Sequence, residues 1–278
     1  MLDIQELVRP KTLAEAFNYL EESKWKITAG GTDILPAVRD GRLKEACLID
    51  LFYLKENLAK IYLDSQYLHV GALATHDEIA SSKDVHEKIP ALSQACRGIG
   101  SAQIRKRATL GGNLVNASPA ADSVPVLLAA DASVCLQSKE GERRVRIKDF
   151  LKGPGKTDMS KGEILTEVLI PCDKGKWQGI YMKVGGRNAL IISVAGAAIL
   201  RDASGQFRVA CGSVGPTVLR ASRVEALFNG GEASLKRVKE ALEQDICPID
   251  DVRATGKYRK MVMANVLWNV YDHWKEGM

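Results

Sequence analysis

From Leu58 to Gly71 apolar and polar positions alternate on either side of Asp64-Ser-Gln66, the pattern of two half-buried strands joined by a turn. Further strand patterns occupy 25–28 and 47–51, and 132–137 with 143–147 reads as a hairpin around Lys139-Glu-Gly-Glu142. Helical spacing replaces this period where Thr12-Leu-Ala-Glu15 forms a capping box, with Ala14, Phe17, Tyr19 and Leu20 along one side. Thr75-His-Asp-Glu78 is a second such box. Residues 89–99 predict a helix ending at Gly98 and Gly100, and 122–130 an apolar helix.

A strand over 162–171 stops at Pro171-Cys-Asp, which sets a domain boundary. The segments 179–184, 191–200 and 207–213 then predict strands, the last two meeting at Asp202-Ala-Ser-Gly205. Helices are expected over 222–228, 234–244 and 257–274. An antiparallel sheet covered by helices on one side is the natural assembly. Strands and helices come in groups rather than in regular βαβ alternation, so the expected class is α+β. The expected domains are 1–171, with subdomains at about 1–55 and 56–171, and 172–278.

The totals agree with two domains. At 278 residues the chain exceeds the usual single core of about 100–150 residues. Its net charge of +5 is spread thinly, and Arg105-Lys-Arg107 lacks interleaved aromatics, which argues against nucleic acid. No apolar run reaches the roughly 18–20 residues that span a bilayer. The six cysteines and four histidines show no metal-ligand spacing, so no metal site is expected. Reduced, buried cysteines and the lack of a signal-like N-terminus lead us to expect a cytoplasmic protein.

Two stretches carry the candidate chemistry. Thr28-Ala-Gly-Gly-Thr-Asp33 follows a strand, and Thr109-Leu-Gly-Gly-Asn-Leu-Val-Asn-Ala-Ser-Pro-Ala-Ala-Asp122 leads into the apolar helix. Glycine pairs permit positive φ and close backbone approach, and aligned amides beside hydroxyls form a concave anion site. Two such loops predict one phosphate-bearing ligand between them; an ordinary strand–turn–helix connection is the other reading of the first. Asp33 is expected to accept backbone amides as a cap or turn residue. P-loop, Rossmann and nucleophile-elbow spacings are absent, and no acid–base or nucleophile set stands out, so no catalytic side chain is assigned. That composition of loops suits a cofactor bringing its own chemistry.

These two loops resemble those of the FAD-binding medium subunits of molybdenum hydroxylases, the xanthine dehydrogenase and carbon monoxide dehydrogenase type. The resemblance continues through Glu163-Ile-Leu-Thr-Glu-Val-Leu-Ile-Pro171, Tyr181-Met-Lys-Val-Gly-Gly-Arg-Asn-Ala-Leu-Ile-Ile-Ser193, Gly212-Ser-Val-Gly-Pro-Thr-Val-Leu-Arg-Ala221 and Asp250-Asp-Val-Arg-Ala-Thr-Gly-Lys-Tyr-Arg259. It implies a two-subdomain FAD-binding lobe of the vanillyl-alcohol-oxidase/PCMH type and a smaller C-terminal α+β domain. It implies FAD held by Thr28, Ala29, Gly30, Gly31, Thr32 and Asp33 together with Thr109, Gly111, Gly112, Asn113, Ser118 and Asp122. Leu165, Ile99, Ile104 and Lys183 would lie near the cofactor, Lys183 reaching back toward the flavin. Ile99 is equally a helix-end core residue, and Arg187 is either a partner or a cofactor contact.

The resemblance further implies electron transfer from a [2Fe–2S] subunit through FAD to NAD+ or another acceptor, with hydroxylation on a molybdopterin-binding large subunit of a hetero-oligomer. The chain departs from the family in two respects. Leu190-Ile-Ile-Ser193 stands where many members carry Asp-Ile-Ala, and the cysteines of an extra iron–sulfur insertion are missing, so FAD is the sole cofactor expected. The rival readings are a self-contained FAD-dependent oxidoreductase and a nucleotide-binding or scaffolding subunit without flavin.

Overall fold

The structure is a computed structural model describing residues 2–172, 175–186 and 192–276. Its strands are β1 (Ile4–Val8), β2 (Trp25–Thr28), β3 (Ala46–Asp50), β4 (Ile61–Leu63), β5 (Tyr67–Gly71), β6 (Ser133–Ser138), β7 (Gly141–Arg146), β8 (Leu151–Gly153), β9 (Lys156–Thr157), β10 (Ile164–Pro171), β11 (Gln178–Val184), β12 (Ala195–Arg201), β13 (Phe207–Gly212) and β14 (Leu219–Arg220).

The first fifty residues form a small parallel sheet in the order β1-β3-β2. Helix Leu13–Leu20 connects β1 to β2, and helix Ile34–Arg39 connects β2 to β3. Strict strand–helix alternation therefore does occur here, against the expectation from sequence. The pattern was obscured because β1 exposes most of its residues and the second helix is six residues long with a proline inside. Thr12 caps the first helix by accepting from the Glu15 amide, while the Glu15 carboxylate takes the Lys11 amide.

The second layer is a five-stranded antiparallel sheet, β4-β5-β10-β6-β7. Leu68, Val70, Val134, Leu136, Val168 and Ile170 line its inner face and meet Leu92 and Leu127 from the covering helices. Period-two burial thus sends alternate residues of each strand to the core. Helix His76–Ser81 begins with the full capping box: the Thr75 hydroxyl accepts from Glu78, whose carboxylate accepts from the Thr75 amide. Helices Pro90–Arg97 and Ser123–Ala129 follow close to the expected limits.

The C-terminal unit is a four-stranded antiparallel sheet, β11-β12-β13-β14, with helices Ser222–Asn229, Leu235–Asp245 and Gly256–Glu276 on one face. Asp202 organises the β12–β13 turn by accepting the amides of Ser204 and Gln206. The other face is not open to solvent. Tyr181, Ala198, Leu200, Ala210 and Val218 enter the core of the preceding domain, whereas Ala195, Ala197, Ile199, Val209 and Cys211 enter the C-terminal one. One-sided coverage was expected because sequence periodicity cannot show which distant helices close the second face. β12 starts at Ala195, later than the expected 191, and Ile191 lies outside the described residues.

Candidate cofactor site

β2 delivers the buried Thr28 to the first loop, and the backbone turns through Ala29–Asp33 into helix Ile34–Arg39. Gly31 carries this turn with φ +75°, a conformation costly for a side chain. The amides of Gly30, Gly31, Thr32 and Asp33 donate to no acceptor among the described residues. Four consecutive unengaged donors on one loop are what a polyanionic ligand needs. Asp33 does not cap the helix as expected: it makes no side-chain cap bond, and its Oδ1 instead accepts from Asn116 Nδ2 at 3.4 Å. Solvent reaches Asp33, yet partial desolvation raises its carboxyl pKa, the Arg42 charge opposing this.

The second loop is built differently. Thr109 is extended and caps helix Leu110–Val115, its Oγ1 accepting the Gly112 amide at 3.1 Å. Gly111 and Gly112 therefore sit in a first helical turn, with no positive φ between them. The positive φ that glycine pairs permit is used in the first loop, at Gly31, and not in this one. Leu110 and Gly111 donate to Ala74 O at 3.0 Å and Ala72 O at 2.8 Å. The donor row belongs to the first loop, then, and the second contributes the Thr109 hydroxyl proton, which its acceptor role leaves free.

The loops are in direct contact. A β-carbon on Gly30 would lie 1.9 Å from Arg107 O, and one on Gly111 2.8 Å from Ala72 Cβ. Ala72 also donates to Thr166 O at 2.9 Å, tying the second loop to β10 beside the buried Leu165. The Asn113 side chain accepts from Ser123 at 2.7 Å, and Ser118 shapes the following turn by accepting the Ala120 amide. These residues form one group around the two loops.

A second group gathers at the end of helix Pro90–Arg97. Half-buried Ile99 and exposed Ile104 flank Gly100, which adopts φ +46°, and Arg105 holds the Ile99 and Gly100 carbonyls at 3.1 and 3.2 Å. Lys183 reaches across from β11 to Gly98 O at 3.0 Å and Asp122 Oδ2 at 2.7 Å. Buried Asp122 also accepts from Tyr181 and Ser193. Burial, with the Asp122 charge adding to it, pushes the Tyr181 phenol well above its ordinary pKa, so it stays a donor. Tyr181, Ser193 and Arg105 were not read from the sequence as site residues. Tyr181 was within reach, because two residues along a strand place it on the face of Lys183. Arg187 and Leu190 lie outside the described residues.

Among the described residues no helix is long and apolar enough to cross a membrane. Scaffold and loops together define a class of α+β protein in which, among the described residues, a row of unengaged amides faces a hydroxyl-capped helix start.

Comparison with known proteins gives that class its family. Residues 3–173 match the FAD binding domain in molybdopterin dehydrogenase, and residues 181–274 match the CO dehydrogenase flavoprotein C-terminal domain. The glyceraldehyde dehydrogenase medium chain of Sulfolobus acidocaldarius is 33% identical over 92% of this chain and 93% of its own. The putative xanthine dehydrogenase FAD-binding subunit of Escherichia coli is 31% identical over 93% and 92%. The carbon monoxide dehydrogenase structure from Hydrogenophaga pseudoflava superimposes with a TM-score of 0.89 at 26% identity, covering 97% of this chain and 96% of that one. The chain belongs to the FAD-binding medium subunits of the xanthine dehydrogenase and carbon monoxide dehydrogenase family. It is an FAD flavoprotein and an oxidoreductase component.

Proposed function

We propose that this subunit relays electrons from a partner [2Fe–2S] subunit, through FAD, to NAD+ or another acceptor. Substrate oxidation then falls to a molybdopterin-binding partner in a cytoplasmic hetero-oligomer. The carrying observation is the run of unengaged amides at Gly30–Asp33 set directly against the Thr109-capped loop.

FAD supplies the redox chemistry when bound. In this reading the amides of Gly30, Gly31, Thr32 and Asp33 hold the diphosphate, beside Thr28 and Ala29. The Thr109 hydroxyl donates from the facing loop, where Gly111 and Gly112 keep the backbone close, and Asn113 and Ser118 complete it. Leu165, Ile99 and Ile104 supply apolar walls that exclude water. Lys183 stands at the far end, and its ammonium is already paired with Asp122. It acts there as an oriented ion pair, weaker at a distance than a lone positive charge.

The lobe would be of the vanillyl-alcohol-oxidase/PCMH type, with subdomains 1–55 and 56–171, followed by the domain 172–278. The purified chain's visible spectrum, with identification of the released chromophore, tests the reading. Stoichiometric FAD supports it; a colourless chain that takes up no added FAD overturns it. Mixing the reduced native complex with NAD+ or oxygen then identifies the acceptor.

A further inference from the structure

Lys183 does not reach its place unaided. The Asp122 carboxylate carries three donors at once: the Tyr181 phenol at 2.6 Å, the Lys183 ammonium at 2.7 Å and the Ser193 hydroxyl. The carboxylate is 7% exposed and the lysine side chain 19%, so neither exchanges freely with water. A carboxylate has about four acceptor sites, and two of these are filled by hydroxyls from fixed positions. Both hydroxyls sit on Oδ1, which leaves Oδ2 to the ammonium, and Gly98 O, at 3.0 Å, takes a second of its protons.

Two further features fix the arrangement. The Tyr181 amide donates to Gln94 Oε1 at 3.0 Å, pinning β11 to helix Pro90–Arg97 independently of the carboxylate. Gly196, which pairs with Lys183 across β11 and β12, leaves the space that the phenol fills: a β-carbon there would sit 2.4 Å from the Tyr181 hydroxyl oxygen. A glycine within an interior strand weakens it, and here, at the second position of β12, it makes room for one hydroxyl.

The geometry points to Tyr181 and Ser193 as positioning residues that act through Asp122 to hold the Lys183 ammonium at the Gly98 carbonyl. The inference rests on the functional reading above, in which Lys183 adjoins the cofactor. When a hydroxyl donor is removed, more of the carboxylate's charge falls on the remaining partners. The ammonium is then drawn closer to Asp122, and less positive field reaches the cofactor.

The test is spectroelectrochemical titration and FAD-binding measurement on the full-length FAD-loaded chain and its Tyr181→Phe, Ser193→Ala and Lys183→Met variants. Tyr181→Phe and Ser193→Ala are each expected to move the flavin midpoint potential negative, the same direction as Lys183→Met. Each should raise the Kd for FAD by roughly three- to tenfold, less than the full worth of a hydrogen bond to a charged group because the lost bond is to Asp122 and not to the cofactor. In the Lys183→Met background the tyrosine change should add nothing to the potential shift. Wild-type potential and Kd in both hydroxyl variants, whatever their Tm, would overturn the inference, as would a potential shift that persists undiminished without Lys183. If Tyr181→Phe fails to fold, Ser193→Ala decides alone. A wild-type chain that takes up no FAD defeats the functional reading itself, and that is seen before any variant is made.

Discussion

Gly30 faces Arg107 so closely that a β-carbon on the glycine would sit 1.9 Å from the arginine's carbonyl oxygen. The obstructing atoms are backbone, so neither loop can yield by turning a side chain. A methyl group at this point pries apart the two loops that form the cradle.

Gly30→Ala is accordingly expected to cost stability by about 1–3 kcal/mol, as overpacking does, and to lower FAD content far more than that implies. Flavin released per mole of purified chain measures this. Wild-type occupancy in the variant would show that the loops need not touch.

Thr109→Val removes the hydroxyl that caps helix Leu110–Val115 while keeping the side chain's shape. The expected loss is about 1 kcal/mol, which in a chain of this size is a fall in Tm of about 2–4 °C. Thr109→Ser should restore it. Equal melting of the valine and serine variants would mean that the cap contributes nothing.

Much of this arrangement was legible in the residues. Thr12-Leu-Ala-Glu15 and Thr75-His-Asp-Glu78 announced caps that the structure contains, and hairpins such as 61–71 followed from alternation around a polar turn. What was hidden depended on contacts distant in sequence. The parallel pairing of β1 with β3 involves residues some forty positions apart, with no local signal to match them. The three donors of Asp122 come from residues 59 to 71 positions away, so its carboxylate read from sequence as a loop residue rather than as a junction. Asp33 misled for a related reason: local chemistry favoured a cap, and Asn116 from the other loop took its Oδ1.

His76 gives the chain an acid sensitivity whose sign is fixed. Burial pushes its imidazole pKa down to about 4, the Asp122 charge opposing this in part. Below pH 6.5 the unfolded state binds a proton that the folded state refuses, so stability falls as pH drops from about 6.5 toward 4. The full effect is of order 3 kcal/mol. Urea midpoints at pH 7 and pH 5 should differ more for the wild type than for His76→Leu. Equal differences would mean that the imidazole is charged in the folded protein.

Arg259 is 2% exposed and donates from Nη1 to Val194 O at 2.6 Å and Ser213 O at 2.8 Å, and from Nη2 to Asp251 at 2.6 Å. Arg259→Met would strand two buried carbonyls, while Asp251 keeps Arg253 and two backbone amides, at a cost of about 2–4 kcal/mol. Arg259→Lys should recover little, because an ammonium cannot reproduce the guanidinium fork. Urea unfolding of the three proteins tests this, and near-wild-type stability of the lysine variant would refute it.

β12 belongs to two interiors at once: Ala195, Ala197 and Ile199 point into one, Ala198 and Leu200 into the other. Neither half can therefore melt without stripping a wall from its neighbour. Calorimetry of the isolated chain should show a single endotherm, although two family domains meet along it. A gene encoding either half alone would produce a polypeptide with one face of its sheet or its helices bared to water. The two parts are bound to be inherited, and lost, together.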